Sequence, residues 1–137
     1  MAGEFTFTVK RTVTGFGKSN GTVEQTVKCD GGAPISKTIP ANTTNGRITV
    51  GIDITKTKVL SIETSQNCDI YTNAPSTGSP AQHLVMLANL AKTWVTGDDA
   101  SLFITTTVTD LYITTGGTAT NLSIIEGHDA TPVLGDS

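Results

Sequence analysis

Charge, aromatic rings and long apolar runs are all scarce in this chain, and each scarcity removes a class of function. Charged residues make up only 15%, nine Lys and Arg against twelve Asp and Glu, for a formal charge of −3. The basic residues are scattered, so no concentrated patch exists to displace counterions from a nucleic acid or an anionic membrane surface. No apolar stretch approaches membrane-spanning length, and Met1-Ala2-Gly3-Glu4 has neither the basic start nor the apolar stretch of a signal peptide. Neither export nor membrane insertion is expected. Two histidines, His83 and His128, lie far apart with no cysteine or carboxylate at metal-ligand spacing. Two cysteines, Cys29 and Cys68, cannot form a framework of several bridges; a single disulfide is compatible with the sequence, but buried reduced thiols in a protein made in a reducing cytoplasm are expected.

Catalytic chemistry is equally thin. The serines lack a nucleophile-elbow context, neither cysteine has a recognisable histidine partner, and no spacing sets two carboxylates across a cleft. Asp98, Asp99 and Asp110 match no twelve-residue calcium loop and read as turn chemistry. Gly15-Phe16-Gly17 and Gly31-Gly32 precede no helix whose amino terminus would hold a phosphate. Three sequons, at Asn20, Asn42 and Asn121, are what a chain rich in Asn and Thr contains by chance. The expectation is no enzyme activity, no catalytic residues, no cofactor and no metal.

What is abundant is threonine, about one residue in five. Its branched Cβ favours the pleated sheet over the helix. Such a composition yields a neutral surface of hydroxyls, and with 137 residues the chain suffices for one domain with one core. Thr-x-Thr pairs such as Thr6/Thr8 and Thr105/Thr107 are too irregular for an ice-binding array and read as solvent-facing strand positions.

Period-2 alternation with turn signals predicts short strands throughout. Phe5, Phe7 and Val9 begin one that continues towards Val13; others run Thr22 to Cys29, Ile35 to Ile39 and, after the Asn45-Gly46 turn, Arg47 to Ile52. Lys58 to Thr64 and Cys68 to Thr72 read as a hairpin, as do Thr109 to Thr114 and Ala119 to Glu126, with Leu102 to Thr106 a further strand. Asn73 to Pro80 is the longest loop. Between Ala81 and Val95 the local signals conflict. Leu84, Leu87, Ala91 and Trp94 form a helical stripe behind a Ser79/Gln82 capping box with Pro80 at the first turn, yet Leu84 to Leu90 also suits a strand apolar on both faces.

Trp94-Val95-Thr96-Gly97-Asp98, Val108 to Thr114 and Gly116 to Ile124, preceded by Ile39-Pro40-Ala41, Ile48 to Asp53, Val59 to Ile62 and Cys68 to Asn73, together resemble small jelly-roll virion proteins of tailed bacteriophages, of the head decoration or cement type. The likeness covers roughly residues 39–125 and is one of turns and aromatic-aliphatic pairs, not of a catalytic signature. It agrees with the all-β, antiparallel, jelly-roll-like sandwich of about eight or more short strands that the strand runs and turn signals predict over residues 1–126, and it implies strand before Trp94; residues 127–137, with almost no core-forming pattern, read as an extended tail. Trp94 is then expected in the core beside Leu111, Ile113, Leu122 and Ile124.

By the same resemblance the function is mechanical. The protein would bind the major capsid protein on an assembled head as a homo-oligomer, a trimer above all, and stabilise the particle, residing on the virion head surface after synthesis in the host cytoplasm. The chain ends, through Glu4 and Phe5 and through Pro132, Val133 and Leu134, are the expected contact residues. A second class also stands, a carbohydrate-binding β-sandwich module of a tail fibre or adhesin. It requires exposed aromatics on one face, for which Trp94, Tyr71 and Tyr112 are the candidates.

Overall fold

The computed structural model describes residues 5–11, 14–19, 23–96, 98 and 102–129. Every regular element among them is a strand: β1 (Phe5–Arg11), β2 (Thr14–Gly15), β3 (Lys18–Ser19), β4 (Val23–Cys29), β5 (Gly31–Ile39), β6 (Gly46–Ile52), β7 (Thr57–Thr64), β8 (Cys68–Thr72), β9 (His83–Met86), β10 (Lys92–Val95), β11 (Val108–Thr115) and β12 (Thr120–His128). Eight of these build two four-stranded antiparallel sheets, ordered β10-β7-β12-β5 and β6-β11-β8-β9. From β5 onward the chain passes to the opposite sheet at each connection except β8 to β9, which is a true hairpin. That winding is a jelly roll, the all-β sandwich expected from composition and resemblance.

Two expected hairpins are therefore corrected. β7 and β8 lie in different sheets, and so do β11 and β12. A turn signal marks where a strand ends without saying whether the next one pairs with it or crosses to the facing sheet. Residues Leu102 to Thr106 do not form a strand either. Side-chain amides take up part of the hydrogen bonding of this stretch: Gln82 Nε2 donates to the Phe103 carbonyl, Gln82 Oε1 accepts from Thr105 N at 2.7 Å, and Asn73 Nδ2 donates to the Thr107 carbonyl at 2.9 Å. The stretch still drops Ile104 into the core at 1% exposure. Gln82 thus serves this loop, and no helix follows it.

The main core fills the space between the sheets. Leu122 and Ile124 of β12, Leu60 and Ile62 of β7, and Leu111 and Ile113 of β11 are all essentially inaccessible. Strands β9 and β10 replace the helical stripe, as the resemblance implied, but β9 is half-buried instead of apolar on both faces: Leu84 and Met86 point inward while Val85, Leu87 and Leu90 are exposed. It is an edge strand of an antiparallel sheet with one face to water. Trp94 is corrected in the same way. It sits opposite Leu60 on the edge strand β10, half-buried at the rim, while its neighbour Val95 is fully buried.

Outside the jelly roll, β1 and β4 form a two-stranded ribbon from Phe5↔Cys29 to Arg11↔Val23. The ribbon lies on the outer face of the first sheet and closes a second, small core of Val27, Cys29, Val59 and Val95 with Phe7 and Val9 against it. Close approach there requires Gly127: a Cβ at that position would meet Phe7 at 2.6 Å, Val59 at 2.7 Å and Cys29 Sγ at 2.9 Å. β12 also runs to His128, so Gly127 and His128, expected in the tail, belong to the sheet. Residues 130–137 lie outside the described residues.

Gly127→Ala is expected to lower unfolding stability by about 1–3 kcal/mol through overpacking, read from chemical denaturation. Thr72 offers the opposite sign. Its hydroxyl is buried and has no hydrogen-bond partner among the described residues. Thr72→Val should stabilise by about 1 kcal/mol, because an unsatisfied buried hydroxyl is removed at constant shape; a loss of stability would show that the hydroxyl is satisfied after all.

Candidate functional site

The described surface offers three places with chemistry, and they lie apart. At the first, the end of β12, Glu126 is 2% exposed and yet charged by nature. Its two oxygens are occupied: His128 Nδ1 lies 2.7 Å from Oε1, and Thr57 donates to Oε2 at 3.1 Å. Around them Lys58 donates to the Lys28 carbonyl at 3.0 Å and pairs with Asp129 at 3.3 Å, while Asp129 Oδ1 accepts from Asp30 N at 3.3 Å. These bonds tie the β4–β5 turn and the end of β12 to β7. Every polar atom named has a structural partner, which is how a buried carboxylate is tolerated. Cys29 lies nearby, but burial raises its thiol above the ordinary value, with Lys58 opposing that shift. Cys68, in the other core, is likewise raised by burial. Both are free and buried, as expected, and a thiol held protonated in an apolar core is a poor nucleophile.

The second place is the end of the β1–β4 ribbon. Beyond Arg11 the chain folds into the small β2–β3 hairpin, in which Thr14 faces Ser19 and Gly15 faces Lys18. Its two-residue loop is Phe16-Gly17, with φ of 54° and 71°. A loop with both residues left-handed suits the twist of a hairpin and is normally filled by Asn-Gly. Here the first position is a phenylalanine with its side chain fully exposed. The base of this arm is fastened to the sandwich by a two-pronged ion pair, Arg11 Nη1 and Nη2 to Asp98 Oδ1 and Oδ2 at 3.1 and 3.0 Å. Asp98 Oδ2 also accepts from Val95 N at 3.0 Å, and these bonds, the arginine first, hold its carboxyl below the ordinary carboxylate range.

The third place is the outer face of the second sheet, where Tyr71 and Tyr112 stand directly opposite each other on β8 and β11. Trp94 belongs to the other sheet. Of the three aromatics considered for sugar binding, the structure brings two together and separates the third.

The residues expected at the chain ends fare differently. Phe5 opens β1, paired with Cys29; Glu4, Pro132, Val133 and Leu134 lie outside the described residues. His83 and His128 sit on separate sheets, each beside a carboxylate, Asp69 and Glu126 respectively. Asp98 and Asp110 are apart as well, one paired with Arg11 and the other with Arg47. Among the described residues no three His, Cys, Asp or Glu side chains converge to hold a metal ion, and no helix is long and apolar enough to cross a membrane. Sequence reading missed the exposed ring of Phe16, taking the residue as part of a glycine turn; a phenylalanine where a tight turn calls for asparagine was the available signal. Comparison with known proteins finds no match to a family model, to a curated protein or to a solved structure.

Two measurements follow from this geometry. The Asp98 carboxyl, followed by NMR, should titrate below the ordinary value of 3.8, and Arg11→Gln should bring its midpoint up. A folded value below the unfolded one means that the contribution of this pair is present at neutral pH and is lost as the pH falls through the depressed value. The thiols run the other way. Their raised folded values make stability decline as the pH rises past about 9, since only the unfolded chain then releases the protons. Native protein at pH 8 should accordingly react with a thiol reagent only at its unfolding rate.

Proposed function

We propose that this chain is a structural virion protein, a decoration or cement protein that binds the major capsid protein on the surface of an assembled phage head and stabilises it, as a homo-oligomer and most simply a trimer. The observation that carries this reading is the arm. A bulky residue in the left-handed region is an outlier that costs stability, and strain of this kind persists where function maintains it. Phe16 adopts φ 54° at the tip of a hairpin and is fully exposed. An apolar ring held away from the fold on a two-stranded ribbon suits insertion into a crevice of a neighbouring protein, where aromatic anchors supply most of the binding energy.

Three further features support the reading. The ribbon is an addition outside the eight-stranded jelly roll, the part of the chain that the resemblance to decoration proteins leaves uncovered. The Arg11–Asp98 pair and the Gly127 contact aim it by fixing its base. The outer surface is otherwise rich in hydroxyls and poor in charge, which fits a repeated, hydrogen-bonded, wet contact better than charge steering. The contact expected at the chain ends remains part of the proposal, with Phe5 at the base of the same ribbon.

The test is Phe16→Asn. Asparagine is the preferred residue for the turn, so the thermal midpoint should hold or rise. Co-sedimentation with undecorated heads of the cognate phage should nonetheless weaken by about tenfold or more, as for loss of an interface anchor. Wild-type protein that fails to pellet with those heads would remove the decoration reading; undiminished pelleting of Phe16→Asn would remove the arm from it. A variant ending at Asp129 keeps β12 whole and measures the share of the carboxy-terminal segment.

A further inference from the structure

Across the solvent face of the second sheet four side chains stand in one register row. Arg47 of β6 lies opposite Tyr112 of β11, Tyr112 opposite Tyr71 of β8, and Tyr71 opposite His83 of β9. All four face outward, because their strand neighbours Ile48, Leu111, Ile113, Ile70 and Leu84 pack into or against the core. Three interstrand steps of about 4.8 Å make the row about 14 Å long. Its residues come from four separated segments of the chain.

The row is built, not merely exposed. The His83 ring stacks on Tyr71 with centroids 4.4 Å apart and planes at 16°, and His83 Nε2 is held 2.8 Å from Asp69 Oδ1. At the other end Arg47 Nε donates to Asp110 Oδ1 at 3.1 Å, and Thr49 donates to the same oxygen at 3.3 Å. The next outward row, Thr114, Asp69 and Val85, runs beside it and opens into a depression of about 310 Å³ bordered by Asn67, Leu87 and Gly116. Among the described residues Tyr71 stacks on no ring besides His83.

We propose that this face is a binding site for a neutral oligosaccharide laid along the Arg47–Tyr112–Tyr71–His83 row. A pyranose ring has apolar C–H faces and a rim of hydroxyls, and the row offers the complement of both: two tyrosine rings at its centre, with carboxylate acceptors and a guanidinium donor at its ends. The charge balance selects the occupant. Arg47 is matched by Asp110, and Asp69 lies beside His83, so no surplus positive charge is left for a phosphate, a sulfate or a uronic acid. Charged and hydrogen-bonding groups flank the rings at both ends, which distinguishes the row from the dehydrated apolar centre of a protein–protein contact. Sugar binding here does not rest on the capsid reading: the arm lies on the other sheet, and the two surfaces are separable.

Affinity electrophoresis through gels cast with soluble neutral polysaccharides (dextran, glycogen, mixed-linkage β-glucan, galactomannan), followed by calorimetric titration with hexasaccharides of the retarding polymer, tests the site in the full chain. Retardation by at least one polymer is expected. Tyr112→Ala and Tyr71→Ala should each weaken binding by about tenfold, while Thr38→Ala on the opposite sheet leaves it unchanged. Tyr71→Leu and Tyr112→Leu keep an apolar strand residue and remove the ring, so they read the same effect should the alanine variants fold poorly. Hyaluronate in place of a neutral polymer should not retard. Absence of retardation by all four neutral polymers overturns the proposal, as does equal retardation of wild type and tyrosine variants. Loss of head pelleting in Tyr112→Ala without any polysaccharide binding would make the row a protein contact and overturn it too, whereas normal head binding alongside lost sugar binding would separate the two functions.

Discussion

Strand β12 is the element on which the rest of the molecule depends. It is hydrogen-bonded on both sides, to β5 and to β7, and so holds the first sheet together from its interior. Its inward residues Leu122 and Ile124 form the floor of the main core, and the next inward residue, Glu126, anchors the buried polar cluster with Thr57 and His128. Its outward side then yields, at Gly127, the space into which Phe7, Val59 and Cys29 close. One strand thereby couples the sandwich core, the small core and the seating of the ribbon. A buried carboxylate at that junction is tolerated only because each of its oxygens has a partner, so the junction specifies one arrangement instead of a family of near-equivalent packings.

The jelly roll leaves the two outer sheet faces with different fates. The first sheet is partly covered by the ribbon, whose far end carries the exposed Phe16. The second keeps its face to solvent and presents rings, acids and an arginine in register. A sandwich makes such a division natural, because alternation along each strand commits one side to the core and frees the other for any chemistry that tolerates water. The proposed head contact through the arm and the proposed ligand capture through the row would use opposite sides of the sandwich.

Topology also explains the scarcity of local signals. Within the two four-stranded sheets every pairing except β8–β9 joins strands that are distant in sequence, so loop-closure entropy must be met before the contacts form, and folding should be slow relative to helical domains of this size. Side-chain amides help to hold the long connections once made. Asn73 accepts from Thr109 N at 2.9 Å and donates to Thr107, and Gln82 brackets the loop that carries Ile104.

Period-2 alternation and threonine content were enough to identify β4, the second half of β5, β6, the turn at Asn45, and the inward residues of β11 and β12, because these depend on each segment's own pattern of burial, whereas the start of β5 at Gly31 was not legible. The sequence by itself thus determined an all-β chain, whereas the unpaired state of Cys29 and Cys68 was decided by the fold, which buries them in two different cores. Which strand lies beside which was decided only by tertiary structure. A turn residue ends a strand identically whether the chain doubles back or crosses to the facing sheet, so Thr64 to Cys68 and Thr115 to Thr120 read as hairpins and are crossings. The same limit placed Trp94 in the core, since nothing in Lys92–Val95 tells that β10 is an edge. It also hid the Arg47–Tyr112–Tyr71–His83 row, whose members become neighbours only through the register of three strand pairs, a property of the assembled sheet that no single segment contains.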